Sequence, residues 1–141
     1  AEAGLQMPDA NQIELHPWSQ KPGLLHHMAK HDIAPIAYSS LAPLSTWRIE
    51  PGQDSAKTDQ MKADGTAFGD MAAKYGVSEA QLLLRWGVQR GFAVLPKSLN
   101  PERMRQNFDL FSFSIDDVDM AQMATLDRGD GVAWASGDPS K

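Results

Sequence analysis

Lys97, Ser98, Asn100 and Arg103 fall within seven residues, in the stretch Phe92 to Asn107 that reads FAVLPKSLNPERMRQN. Two cations and two small polar side chains in so short a span are the groups from which a phosphate cradle is made, since charged donors bind phosphate oxygens most strongly. The surrounding residues say where the cradle would sit. The apolar run Phe92-Ala93-Val94-Leu95 ends in Pro96, and Asn100 followed by Pro101 is an N-cap and first-turn pair for a helix. The four polar residues are therefore predicted to gather where a strand ends and a helix begins. A helix N-terminus there would offer free backbone N–H groups and a positive dipole to an anion. A solvated turn with routine charges accounts for the same composition, and the residues alone leave both readings open.

The elements that must position this stretch alternate between strands and helices. Asn11 to His16 (NQIELH) alternates polar and apolar residues and reads as a strand ending at Pro17, in which an inward-facing Gln12 would need a hydrogen-bonding partner. Pro22 to His31 is helical, with Leu24, Leu25 and Met28 on one face. His27 and His31 lie one turn apart on it, but no carboxylate is fixed near them, so they are read as solvent-face histidines and no metal site is expected. Ile33 to Ser40 is a second strand, in which Pro35 is tolerable at the first residue. Residues from about 41 to 65 form a long irregular loop with Trp47 in its middle, either a substrate contact or the loop's anchor.

Thr66 to Tyr75 is amphipathic, with Phe68, Met71, Ala72 and Tyr75 on one side and Gly76 as a stop. Ser78 and Gln81 form a capping box for the next helix, which runs to Arg90, is read as burying Leu82, Leu83, Trp86 and Val88, and stops at Gly91. Phe92 to Leu95 supplies the third strand and Pro101 to about Leu110 a helix. A last helix is predicted with Ser114 as its cap and Val118, Met120, Met123 and Leu126 as its apolar face. The tail, about 128–141, is irregular and carries Trp134. This order is that of βαβ units and a parallel sheet. With only about three strands, two sheet edges would be bare. The opening residues, closed by Gly4, look like the tail of a helix, so the chain is expected to begin mid-fold, as a single partial domain over residues 1–141.

Composition narrows the function. The chain has 141 residues, 42% hydrophobic and 22% charged, as an ordinary globular protein does. A formal net charge of −5 disfavours a general nucleic-acid surface, and sets off the local cation cluster after Leu95. There is no cysteine, hence no disulfide and no thiolate metal site. No apolar run approaches the roughly 20 residues that span a bilayer. The start lacks the cationic and apolar regions of a signal peptide, and the cytoplasm is the expected location.

Taken together the motifs resemble the C-terminal part of the aldo-keto reductase family over nearly the whole chain. They are NQIELHPW (Asn11 to Trp18), IAYSSLAPL (Ile36 to Leu44), QLLLRWGVQRG (Gln81 to Gly91) and VLPKSLNPERMRQNFDLFSF (Val94 to Phe113), followed by the helix that reaches Leu126-Asp127. The resemblance implies an α/β fold, the C-terminal portion of a (β/α)8 TIM barrel with about three parallel strands and flanking helices.

The resemblance also implies a cofactor, NADPH. Gln12 matches the residue that bonds the nicotinamide carboxamide, and Tyr38 the one that stacks on the nicotinamide ring. Ser39, Ser40, Leu41 and Leu44 match the loop around the pyrophosphate. Lys97, Ser98, Leu99, Asn100 and Arg103 match the surroundings of the adenosine ribose and its 2′-phosphate, and Gln106 and Asn107 the adenine contacts. The family commonly has glutamate where Gln106 stands. Its catalytic aspartate, tyrosine, lysine and histidine belong to earlier strands. None of His16, His26, His27 and His31 stands in the catalytic histidine's place, and His16 is read as structural.

The expected function is thus a fragment of an NADPH-dependent reductase that converts aldehydes or ketones to alcohols. It would hold much of the cofactor site, be inactive alone, and meet its small-molecule carbonyl substrate only as part of the intact enzyme, with Trp47 and Trp134 as substrate contacts. The alternative is a non-catalytic half-barrel that binds nucleotide or self-associates through its sheet edges. Trp18 stands where the family often has tyrosine, and the sequence leaves open whether it faces substrate or solvent.

Overall fold

The structure is a computed structural model that describes residues 4–44 and 68–129. Three strands, β1 (Ala10–Glu14), β2 (Ala34–Tyr38) and β3 (Ala93–Val94), form one parallel sheet in sequence order. Parallel neighbours need a crossover, and α1 (Pro22–Lys30) joins β1 to β2. Between β2 and β3 lie a 3-10 turn at Ala42–Leu44, the helix α2, whose described residues are 68–75, and α3 (Glu79–Gln89). Two further helices, α4 (Pro101–Phe108) and α5 (Asp117–Ala124), follow β3. Strand neighbours that keep sequence order without reversal are common to an arc of barrel and to one half of a doubly wound sheet.

Register decides which side chains face which way. Ile13, Ala37 and Val94 form one row across the sheet, and this row faces the helices. Ile13 and Ala37 are buried there with Met28, Phe68, Leu82, Leu83 and Trp86. Side chains alternate along a strand, so Gln12 and Ile36 point to the opposite face, as do Glu14 and Tyr38. Gln12 is exposed, and the inward-facing partner that its burial would require does not arise. Pro35 is the second residue of β2 rather than the first. Ala34 N–H donates to Asp9 O at 2.9 Å, on the β1 side. Alternation puts the Pro35 nitrogen on the β3 side, where β3 pairs only with Ile36 and Ala37, so the missing donor breaks no ladder bond.

The helix boundaries follow from their caps. Ser78 Oγ accepts from Gln81 N–H at 3.2 Å, and Gln81 Oε1 accepts from Ser78 N–H at 3.1 Å, completing the expected capping box of α3. Gly91, at φ +83°, ends that segment. Gly87 lets α3 close on the sheet: a β-carbon there would lie 3.0 Å from Val94 Cγ1. The cap of α5 is Asp116, not Ser114. Gln89 holds Ile115 by both backbone groups, donating to its oxygen at 2.9 Å and accepting from its N–H at 2.8 Å. Asp116 Oδ1 then accepts from Asp119 N–H at 2.9 Å. Val118 is 74% exposed and Asp119 is buried in its stead, because 119, 123 and 126 keep helical spacing and 118 does not.

The segment after β1 packs inward. His16 and Ser19 exchange backbone hydrogen bonds at 3.2 and 2.9 Å, closing a turn over Pro17 and Trp18. His16 Nε2 lies 3.0 Å from Glu14 Oε1, both buried, so His16 has the structural part expected of it. Trp18 does not face solvent. It is buried beside Phe68, ring centroids 6.1 Å apart. Gln20 joins this turn to α5, its Nε2 donating to Pro17 O at 2.8 Å and Met123 O at 2.9 Å, while its Oε1 accepts from Arg90. Burial holds the Arg90 guanidinium below the usual arginine range, and its Cζ lies 5.0 Å from the centroid of the Trp86 ring.

Candidate functional site

A cleft of about 730 Å³ opens off the carboxyl ends of β2 and β3. Four segments wall it. Ser39, Leu41, Ala42 and Leu44 come from the chain leaving β2, Lys97 and Ser98 from the chain leaving β3, and Arg103, Gln106 and Asn107 from α4. The fourth is the start of α3, with Ser78, Glu79 and Ala80. Ligands of parallel α/β folds bind at this end of the strands, where loops and helix N-termini converge.

Local structure explains how the walls are held. Ser39 has φ +52°, a left-handed conformation that a residue with a β-carbon rarely takes. It bends the chain at once out of β2, and Ala42 N–H closes the turn on Ser39 O at 2.8 Å. Ser40, buried beneath, donates from Oγ to Ala37 O at 3.3 Å and is spent on the turn. On the other wall Gln81 Nε2 donates to Asp109 O at 3.0 Å, joining the first turn of α3 to the end of α4.

The anion-binding character differs from expectation in one respect. Asn100 caps α4 so completely that its N-terminus has no early N–H to give: Glu102 and Arg103 N–H both donate to Asn100 Oδ1, at 2.9 and 3.1 Å. Pro101 has none, and Asn100 N–H donates to Ser98 Oγ at 3.1 Å. A cap that satisfies the orphan donors removes them from any ligand. What remains is the side-chain charge of Lys97 and Arg103, with the helix dipole behind it. Among the described residues neither cation has an ion-pair partner, whereas Arg105 on the same helix pairs with Glu102 at 2.8 Å.

The cleft gathers Ser39, Leu41, Leu44, Lys97, Ser98, Arg103, Gln106 and Asn107 of the residues singled out in the sequence. Leu99 and Asn100 line a shallower hollow beside it, together with Lys97, Ser98 and Arg103. Gln12 and Tyr38 lie on the sheet face away from the helices, outside the cleft. Trp47 and Trp134 lie outside the described residues, as do most of the long loop and of the tail. Sequence reasoning missed Glu79 and Ala80 as lining residues, although the Ser78 cap that positions them was legible. On α1 the rings of His27 and His31 are 4.6 Å apart, and no three metal-ligating side chains converge among the described residues. No helix among them is long and apolar enough to cross a membrane.

Comparison with known proteins identifies the family of the chain. The chain is 38% identical over 122 residues to a probable NAD(P)H-dependent D-xylose reductase of Aspergillus flavus, a match covering 86% of this chain and 38% of that protein. It is 40% identical over 120 residues to the NAD(P)H-dependent D-xylose reductase of Scheffersomyces stipitis, covering 85% and 37%. Among solved structures, Gox0644 in its apo form superposes with a TM-score of 0.76 at 32% identity, over 99% of this chain and 46% of that one. A Bombyx mori aldo-keto reductase in complex with NADP gives 0.71 at 30%, over 90% and 40%. These neighbours are TIM barrels, of which this chain covers part, and it spans less than half the length of the relatives it matches. The Aldo/keto reductase family model matches residues 2–128, and the chain belongs to that family.

Proposed function

We propose that this chain forms the adenosine-phosphate end of the NADPH site of a reductase that converts aldehydes or ketones to alcohols. The observation that carries the proposal is the pair Lys97 and Arg103, unpaired with any carboxylate among the described residues and lining one cleft. Two uncompensated cations favour a cofactor with a 2′-phosphate over one with a bare ribose, which offers them nothing in return for desolvation. The cleft volume is in the range of cofactor pockets, about 300–1,000 Å³, and Leu41, Leu44 and Ala80 supply apolar wall. The named relatives are NAD(P)H-dependent, and a structure of Gox0644 holds NADPH, which supports the same reading.

The chain's own residues would divide the work. Lys97 and Arg103 hold the phosphate, Ser39 donates its hydroxyl, Ser98 turns its own to the ligand from Asn100 O, 3.4 Å away, and Gln106 and Asn107 meet the adenine. Gln12 and Tyr38, on one sheet face, hold the carboxamide and the ring of the nicotinamide. When bound, the nicotinamide supplies a hydride to the carbonyl carbon of the substrate. The proton for the carbonyl oxygen, and the aspartate, tyrosine, lysine and histidine that manage it, come in our reading from sequence outside this chain. That part of the proposal rests on the coverage of 38% of the Aspergillus flavus relative.

Titration of the chain with NADP⁺ and NAD⁺ tests the assignment. NADP⁺ is expected to bind more tightly, and Lys97→Ala and Arg103→Ala are each expected to weaken NADP⁺ about tenfold or more while leaving NAD⁺ nearly unchanged. Equal weakening of both cofactors, or none, refutes the phosphate assignment. Measurable reduction of an aromatic aldehyde by the chain alone refutes the claim that the proton donor lies elsewhere.

A second reading, a half-barrel that self-associates, is favoured by exposed apolar side chains around β3 and α4, with Leu99 91%, Phe108 87% and Phe111 76% exposed. A compact dimer in sedimentation, dispersed by Phe108→Ser, supports it, and a monomeric chain removes it.

A further inference from the structure

The cleft assigned above to the adenosine end carries one group that an anion site does not call for. Glu79, in the first turn of α3, lines it together with Lys97 and Arg103. Among the described residues its carboxylate makes no hydrogen bond and no ion pair. Its Oε1 lies beside Gly69 of α2, 3.5 Å from where a β-carbon there would stand, so that side gives it van der Waals contact and no polar partner. A carboxylate beside a bound phosphate repels it. An acid in a first helical turn also stabilises the helix dipole, but it does so equally well when turned to solvent.

The corner in which Glu79 stands is fixed by its neighbours. Gln81, two residues on, donates to Asp109 O at 3.0 Å, and Asp109 N–H donates back to Gln106 O at 3.2 Å. Glu79 and Gln106 therefore belong to the same corner of the cleft, where the start of α3 meets the last turn of α4. Their chemistries differ. The Gln106 amide has both a donor and an acceptor and can turn either toward a ligand, so it cannot tell an amine from a carbonyl. An ionised carboxylate only accepts.

We infer that Glu79 is the base-reading residue of this cleft: it accepts from the exocyclic amine of adenine and rejects a purine that carries an oxo group at that position. The inference rests on the reading of the cleft as an adenosine site. Lys97 and Arg103 then select the phosphate, Gln106 tolerates either base, and Glu79 makes the choice between them.

Adenosine 2′-monophosphate and inosine 2′-monophosphate carry the same phosphate and differ only on that edge of the base, where inosine has an oxo group for the amine and a proton on N1. Calorimetric titration of the chain with each is expected to show a preference of about tenfold or more for the adenosine compound. Glu79→Gln, which keeps the side-chain shape, is expected to reduce the preference to less than about threefold. Lys97→Ala is expected to weaken both ligands alike and leave the ratio intact. A wild-type chain that binds both equally, or a ratio unchanged in Glu79→Gln, overturns the assignment of Glu79 while leaving the cleft reading in place. A wild-type chain that binds neither overturns both.

Discussion

Gln81 Nε2 donates to the carbonyl of Asp109 at 3.0 Å, and this one hydrogen bond joins the first turn of α3 to the residue that ends α4. The same side chain accepts from Ser78 N–H at 3.1 Å, so cap and cleft wall depend on a single amide. Gln81→Glu separates the two tasks. The carboxylate still accepts from Ser78, but it faces the Asp109 carbonyl with no proton to give. The position is buried, and an unmet acceptor beside a charge should cost about 1–3 kcal/mol. Thermal unfolding is expected to show that loss, whereas Gln81→Glu would be silent or stabilising if the residue served the cap alone.

The capping box was legible because its two partners are three residues apart and their chemistry is local. The same holds for Asn100 before Pro101, and for the strands and helices whose periodicity is continuous. What the sequence hid is contact at long range. Nothing near Gln89 announces that it will hold Ile115 and so push the cap of α5 from Ser114 to Asp116. Nothing near Trp18 says that Phe68 will cover it. The anion reading failed in one part for a related reason. Asn100 before Pro101 reads as a cap, but a good cap consumes the N–H groups that a helix start would otherwise offer.

Ser39 provides a second test, of backbone rather than side chain. Its φ of +52° places a β-carbon in a region costing on the order of 1–3 kcal/mol unless the surroundings impose it. The turn to Ala42 and the buried Ser40 below it are what impose it. Ser39→Gly should therefore fold at least as readily as the wild type and keep the turn. Ser39→Val, branched at the β-carbon, should lose about 1–3 kcal/mol on chemical denaturation. If Ser39→Val proves as stable as the wild type, the bend out of β2 is not constrained as described.

The contact between α2 and α5 predicts a pH dependence. Lys74 Nζ donates to Asp116 Oδ2 at 2.7 Å and to Asp119 Oδ2 at 2.8 Å, and the Tyr75 hydroxyl donates to Asp119 Oδ2 at 2.6 Å. The hydrogen bond from Lys74 holds the Asp116 carboxyl below its usual range. Asp116, and after it Asp119, hold the Lys74 ammonium above the lysine range. Burial, and then the Asp119 carboxylate, raise the Tyr75 phenol. A depressed carboxyl contributes stability above its unfolded value, about 4, and loses it as pH falls through the folded value. A raised ammonium or phenol contributes below its unfolded value, about 10, and loses it as pH rises through the folded one. Stability from this cluster should thus be flat between about pH 5 and 9 and decline on both sides. In Lys74→Met both ionic bonds are gone, so the difference in urea midpoint from the wild type should be largest on that plateau and shrink toward both extremes. A difference that stays constant from acid to alkali would show that Lys74 acts through packing of its stem alone.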